Sequence, residues 1–350
     1  MIDKNRFQAL KEYIAECVNN NIFPGAAFGI VTKEESLFAA EGCSQLSPVK
    51  ERTNTEVIYD LASLTKVVST TTIILKLVEQ GKITLHTDIR ELLGDFKHKD
   101  ITVCNLLNHT SGLPSDIKDY RKSCKVREDI VKKVFSAELE YETGKKVVYS
   151  DIGYILLGLI IEKLASPIDR FFYENIAIPL DMQDTCYNPK EAMKSRCATT
   201  EYSDKRGYIK GTVHDGKAYV LGGVSGHAGL FSTVKDLGEF CRMLLNDGVY
   251  GDKRLLSKAS IKAMRECYTA GLNEKRGLGW LLKGSPSFMC DLASEDSVFH
   301  TGFTGTSILM DFENQFAFIL LTNRIHPSRE NDGIIKLRRN INNMAAAVVF

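Results

Sequence analysis

A serine hydroxyl with a lysine three residues behind it can attack a carbonyl, provided a fold holds the pair together and strips the lysine of its proton. The chain offers such a pair at Ser63 and Lys66, within Tyr59-Asp60-Leu61-Ala62-Ser63-Leu64-Thr65-Lys66, directly ahead of the apolar stretch Val67 to Val78. A helix beginning here puts Ser63 in its first turn and Lys66 on the same face. The hydroxyl is a weak nucleophile until a base takes its proton. Lysine is a base only when neutral, and burial against the apolar stretch favours that form. The first N–H groups of the helix add donors for a developing oxyanion. Alone, S-x-x-K is short enough to recur by chance in a chain rich in serine and lysine.

Two further segments bear polar groups suited to the same chemistry. Tyr149-Ser150-Asp151 precedes an apolar helix beginning near Gly153. Read locally, Asp151 is a helix cap and Tyr149 a packed ring. Read functionally, a phenol held beside a cation relays protons. His300-Thr301-Gly302-Phe303-Thr304-Gly305-Thr306 opens a late strand. Its glycines allow close backbone approach to a ligand, and its hydroxyl and imidazole suit a substrate carboxylate or amide. A glycine-rich hairpin with a surface histidine is the plain alternative.

The elements that must position these groups follow from periodicity. Phe7, Leu10, Ile14, Cys17 and Val18 predict an amphipathic N-terminal helix. Ala26–Val31 and Ser36–Ala40 predict a hairpin. The candidate catalytic helix runs from Ser63 to Glu79, ended by Gly81. Helical spacing dominates the middle, over Arg127–Glu138, Gly153–Ala165, Val234–Asn246 and Ser257–Tyr268. Strand character returns at Gly277–Leu282, Thr306–Met310 and Phe316–Leu321, followed by a helix from Asn331. The economical division is one α/β sheet domain from residues 1–65 and 275–350, with a mostly helical domain, 66–274, inserted between.

Composition sets outer limits. The 350 residues carry 45 Lys+Arg against 44 Asp+Glu, so net charge gives no case for nucleic acid or an anionic membrane. No run is long and apolar enough for a membrane span, and the N-terminus lacks the apolar core of an export signal. The nine scattered cysteines include no C-x-x-C pair and read as reduced residues of a cytoplasmic protein, the alternative being an export signal already removed.

Taken together, the three segments resemble those of the serine β-lactamase and penicillin-binding protein superfamily, in its class C β-lactamase and DD-peptidase branch. That family carries S-x-x-K, Y-x-N and K-T-G or H-T-G; here Ser63-Leu64-Thr65-Lys66, Tyr149-Ser150-Asp151 and His300-Thr301-Gly302 match. Phe23-Pro24-Gly25-Ala26-Ala27, the stretch Leu106 to Pro114, Gly226-His227-Ala228-Gly229 and Leu321-Thr322-Asn323-Arg324 extend the likeness across roughly Phe23 to Pro327. The resemblance implies an α+β, β-lactamase/transpeptidase-like fold: an antiparallel sheet flanked by terminal helices, plus an inserted all-α domain. It implies a serine hydrolase working through an acyl-enzyme on small esters, amides, D-amino-acid peptides or β-lactams. Ser63 becomes the nucleophile, Lys66 its proton acceptor, and Tyr149 the shuttle to the leaving group. Asp151, His300, Thr301, Gly302 and Phe303 meet the substrate. The N–H groups of Ser63 and Phe303 form the oxyanion hole. The alternative is a penicillin- or acyl-ligand-binding protein of the same fold without turnover.

Two residues depart from the family pattern. Asp151 stands where the β-lactamases have asparagine; an ionised aspartate only accepts hydrogen bonds, opposes a substrate carboxylate and raises the pKa of a nearby Lys66. His300 replaces a permanent cation with a group that charges near neutral pH. Rival chemistries find no support: H-E-x-x-H is absent, Gly223-Val224-Ser225-Gly226-His227 misses G-x-S-x-G, and no P-loop is present. His214, Asp215 and His227 read as supports of a loop near the pocket. No cofactor or metal is implied.

Overall fold

The computed structural model describes residues 1–349. Its centre is a seven-stranded antiparallel sheet in the order Leu281–Leu282, Ser297–Thr301, Ser307–Asp311, Phe316–Thr322, Gly25–Thr32, Ser36–Gln45, Glu51–Arg52. The two ends of the chain meet in the middle: Gly25–Thr32 pairs with Phe316–Thr322, Ala26 opposite Thr322 and Thr32 opposite Phe316. Both strands are buried along their whole length, so they read as apolar runs and not as alternations.

The two faces of these strands nevertheless serve different layers, as a period of two requires. Ala26, Phe28, Ile30, Phe316, Phe318 and Leu320 pack with Phe7, Leu10 and Ile14 of the helix Lys4–Asn19 and with Ile334 and Ile341 of the helix Gly333–Ala346. Ala27, Val31, Ala317, Ile319 and Leu321 join the larger core on the other side. Asp3 starts the first helix, its carboxylate accepting from the N–H groups of Asn5 and Arg6.

In the segment between the sheet halves helices outweigh strands. Its longest helix, Asp151–Leu164, lies deep in the larger core. One expectation about layers needs amending. The helix Val234–Leu245 packs directly on Gly25–Thr32 and Phe316–Thr322, so it covers the sheet although it lies within residues 66–274. Its buried Val234, Leu237, Phe240 and Cys241 share the cluster that holds Ala27 and Val31.

The expected strand Gly277–Leu282 shrinks to Leu281–Leu282. Gly279 takes φ 83°, and the Gly277 N–H turns back to Trp280 O at 2.9 Å, so the chain curls before it pairs. The segment from His300 also differs from expectation. His300 and Thr301 end the strand Ser297–Thr301, and Gly302 to Thr306 form the turn to the next strand. Opposite Phe299 and Val298 lie Leu281 and Leu282, so this strand is not the sheet's edge along its length.

Candidate active site

A small three-stranded sheet builds the serine turn. Leu230–Ser232 is its central strand, flanked by Tyr59–Asp60 and Cys186–Tyr187. Leu61 N–H donates to Leu230 O at 3.0 Å, and Leu230 N–H donates to Thr65 Oγ1 at 3.1 Å. Between them Ala62 sits at φ 46°, a left-handed conformation that a residue with a Cβ adopts at a cost and that concentrates at functional turns. Asp60 holds it there: Oδ1 accepts from the Ala62 N–H at 2.8 Å and Oδ2 from the His214 N–H at 2.7 Å.

The helix expected over Ser63–Glu79 is three pieces, a 3₁₀ turn Ala62–Leu64, a wide π-type segment Lys66–Thr71 and an α-helix Thr72–Glu79. Such wide turns recur at functional sites. Lys66 is fully buried, and its Nζ donates to Ser63 Oγ at 2.9 Å, Asp151 Oδ1 at 2.8 Å and His227 O at 3.1 Å. Burial alone lowers its pKa, but the Asp151 carboxylate and then the Tyr149 phenol outweigh it, and the pKa is raised. The expectation that burial keeps Lys66 neutral is therefore corrected: the resting side chain is an ammonium, because burial brought a carboxylate with it.

Asp151 is also not the helix cap. Ser150 takes that place, its Oγ accepting from Gly153 N–H at 3.3 Å and donating to Pro114 O at 2.6 Å. Asp151 is thereby left as the first helical residue with its carboxylate free for the site. Oδ1 meets Lys66 and Oδ2 meets Lys217 Nζ at 3.2 Å. Burial raises its pKa, yet Lys66, His227 and Lys217 together bring it down to about 2. Its negative charge is thus matched by two ammonium groups.

Lys217, which no local pattern singled out, is nearly buried and also meets Asp116 Oδ1 at 2.8 Å and Asp215 Oδ2 at 3.4 Å. Behind it Asp215 Oδ1 lies 2.8 Å from His227 Nε2, and His227 Nδ1 lies 2.8 Å from Ser225 Oγ. His214, Asp215 and His227 do brace loops beside the pocket, and His227 and Asp215 are bonded to the site itself. Among the described residues, Asp151, Asp215 and His227 are the one group crowded enough for a metal. Two lysine ammonium groups already occupy those carboxylates, so the donor set does not suit a cation.

Tyr149 stands against this cluster, its ring centroid 4.7 Å from Lys66 Nζ, 4.5 Å from the His109 ring and 6.0 Å from the His300 ring. His300 is 5 % exposed and packed behind Tyr149, with Nδ1 2.9 Å from Thr301 O. Burial first, then Lys66 and Arg276, drives its pKa well below the ordinary value. A histidine that charges near neutral pH is thus ruled out; His300 is a neutral ring supporting Tyr149. Thr301 is half-buried at the strand end, and Phe303 is exposed on the cleft wall.

Gly302 has a stricter task. A Cβ on it would lie 2.2 Å from Thr306 Oγ1 and 2.4 Å from Leu61 O, so the turn can touch the serine segment only through glycine. Thr304 Oγ1 donates to Asp60 O at 2.7 Å and Thr306 Oγ1 to Leu61 O at 3.1 Å, riveting the two turns together. Among the described residues neither the Ser63 nor the Phe303 N–H has an acceptor. Two free backbone donors on residues that line one cleft suit an oxyanion.

Ser63, Tyr149, Asp151 and Phe303 line one cleft of about 960 Å³. Its far wall is the hairpin Thr199–Ser203 and Gly207–Lys210 with the short helix Gly216–Val220.

A family model described as Beta-lactamase matches residues 10–342. The chain belongs to the β-lactamase family. Among curated relatives, a protein of Escherichia coli O157:H7 provisionally named D-alanyl-D-alanine carboxypeptidase is 36% identical over 318 residues, covering 80% of this chain and 71% of the relative. Its namesake in Escherichia coli K12 is 32% identical over 345 residues, covering 88% of this chain and 77% of its own. The fold recurs in the octameric penicillin-binding protein homologue from Pyrococcus abyssi, with a TM-score of 0.75 at 22% identity over 97% of this chain and 78% of that one. It recurs too in EstCE1, a hydrolase with promiscuous acyltransferase activity, with a TM-score of 0.77 at 19% identity over 99% of both chains. The β-lactamase/transpeptidase-like fold and the family expected from the three segments are both borne out, and with them a serine hydrolase of the β-lactamase family.

Proposed function

We propose that the enzyme cleaves small esters, amides or D-amino-acid peptides through an acyl-enzyme on Ser63. The observation that carries this reading is the 2.9 Å contact between Lys66 Nζ and Ser63 Oγ. The substrate carbonyl enters with its oxygen toward the N–H groups of Ser63 and Phe303. Ser63 Oγ attacks once Lys66 has lost a proton and can take the hydroxyl's. Tyr149, beside the ammonium, passes a proton to the leaving group and later helps a water attack the ester. Positioned acid–base groups of this kind contribute about 10²–10⁴-fold. The relatives named as carboxypeptidases favour a D-amino-acid peptide, and the roomy cleft suits a short one.

A second reading has one observation behind it. Asp151 holds Lys66 in its charged form, and that slows both acylation and release of the acyl group. A protein that acylates and then keeps its ligand is the limiting case. Incubation with a chromogenic ester and with a fluorescent penicillin, followed by intact mass, separates the two. An adduct on Ser63 that appears and clears is expected. An adduct that persists on every substrate favours the binding protein, and no adduct on folded protein overturns the assignment of Ser63.

A further inference from the structure

We propose that Arg206 anchors a carboxylate carried on the acyl portion of the substrate, so that the preferred acyl donors are anionic. This rests on the acyl-enzyme reading above.

The cations of the cleft are not equivalent. Lys217 already meets three carboxylates. Arg329 gives two N–H groups to Glu201. Arg121, Lys125 and Lys205 are exposed, and a solvated, mobile charge selects weakly. Arg206 differs from all of them. It is half-buried on the cleft wall, and among the described residues it has no carboxylate within ion-pair distance. Its guanidinium is held in place all the same. Nη2 donates to Val213 O at 2.7 Å, Nη1 to His214 O at 3.4 Å, and the group lies 4.1 Å from the centre of the Tyr219 ring. Those bonds engage two of its five N–H donors. A rigid guanidinium with spare donors and no carboxylate in direct contact, Asp60 and Asp215 acting on it only from a distance, is a preorganised carboxylate receptor, since the ordering entropy has been spent in folding.

Connectivity ties Arg206 to the reaction centre. Its Nη1 holds the carbonyl of His214, whose N–H is held by Asp60, whose other oxygen fixes Ala62 beside Ser63. The His214 ring stacks on Phe303 with centroids 5.7 Å apart, so Arg206 belongs to the wall of the second oxyanion donor. Tyr149, the donor to the leaving group, is backed instead by His109 and His300. The anion is therefore placed on the acyl portion.

The test compares 4-nitrophenyl hydrogen glutarate, 4-nitrophenyl pentanoate and 4-carboxyphenyl pentanoate. Binding is read by calorimetry on Ser63→Ala protein, which cannot acylate. The glutarate ester is expected to bind at least about tenfold tighter than the pentanoate, and that ratio collapses toward one in Ser63→Ala/Arg206→Gln. Arg206→Lys, which keeps charge but loses the fork, retains part of the ratio and serves if the glutamine variant fails to fold. Equal affinities in the parent, a ratio that survives Arg206→Gln, or a loss confined to 4-carboxyphenyl pentanoate would each overturn the proposal. Turnover of both 4-nitrophenyl esters by the unmodified enzyme is read separately. Its absence with both would count against Ser63 chemistry, while the binding ratio still decides on Arg206.

Discussion

At the scale of single residues the decisive substitution is Asp151. As an aspartate it does two opposite things. It fixes Lys66 against Ser63, and it raises the pKa of the amine that must become neutral. The activity of a Lys66 base thus rises with pH into the alkaline range. Asp151→Asn removes the carboxylate and leaves burial to dominate, so the pKa of Lys66 falls and the acid limb of kcat/KM moves to lower pH. A limb that stays put in a folded variant would show that Asp151 does not set it. The carboxylate has a stability signature as well. Its pKa of about 2 in the fold lies below the ordinary value near ~3.9, so its contribution is present above that value and is lost as pH falls toward 2. Urea midpoints measured across this range should fall less steeply for Asp151→Asn, even though leaving the buried Lys66 without its carboxylate lowers the midpoint at neutral pH, while Lys217 keeps Asp116 and Asp215. Ser63, Lys66, Tyr149 and Asp151 were legible because each lies in a short segment whose chemistry is local. Lys217, Asp116 and Arg206 were not, because only the tertiary fold brings them to the site. The effect of Asp151 on Lys66 was legible only on condition that the two meet, 85 residues apart in sequence, and the neutral state of His300 was not, since it follows from burial and from Lys66 and Arg276.

At the scale of elements, the site depends on turns held against one another more than on the helices that periodicity announces. The expected N-terminal helix, hairpin and late strands are present within a few residues. The serine helix was misread because propensity and apolar spacing do not distinguish an α-helix from a 3₁₀ turn leading into a wide π-type segment. The sheet Tyr59–Asp60, Leu230–Ser232, Cys186–Tyr187 was invisible because strands of two or three residues leave no period. Two substitutions test the turns. Gly302→Ala drives a methyl into Thr306 Oγ1 and Leu61 O, and overpacking of this kind costs about 1–3 kcal/mol. The thermal midpoint should fall, and acylation should fall further than stability alone explains because the Phe303 N–H moves with the turn. Ser150→Ala removes a helix cap, typically about 1 kcal/mol, and frees the segment carrying Tyr149 and Asp151. Normal melting and acylation in either variant would show that these contacts do not position the site.

At the scale of the whole molecule, the last helix reaches the turn Gly302–Thr306 that bears Phe303. Arg338, on Gly333–Ala346, is buried, and its Nη2 and Nη1 donate to Gly305 O at 3.0 Å and Thr306 O at 3.3 Å. Arg324, which follows the strand Phe316–Thr322, adds Nε to Phe303 O at 3.0 Å. The turn bearing Phe303 is therefore clamped from the C-terminal end of the chain, while the serine turn is clamped by Leu230 from its middle. Burial, then Arg324, lowers the Arg338 pKa to about 10, so the group remains charged at neutral pH. Arg338→Ala leaves the Gly305 carbonyl without this donor and opens a void behind the turn. Displacing a reacting group by about 1 Å can cost up to about 100-fold in rate. We expect acylation by a chromogenic ester to slow by that order through kcat, with KM changed far less, because a misplaced oxyanion donor is felt in the transition state and not in the ground state. Arg338→Lys should restore part of the rate by returning a donor to one carbonyl. A variant that melts lower but keeps its kcat would reduce the Arg338 contact to a structural tie, and the Phe303 N–H would then owe its position to Arg324, Thr304 and Thr306.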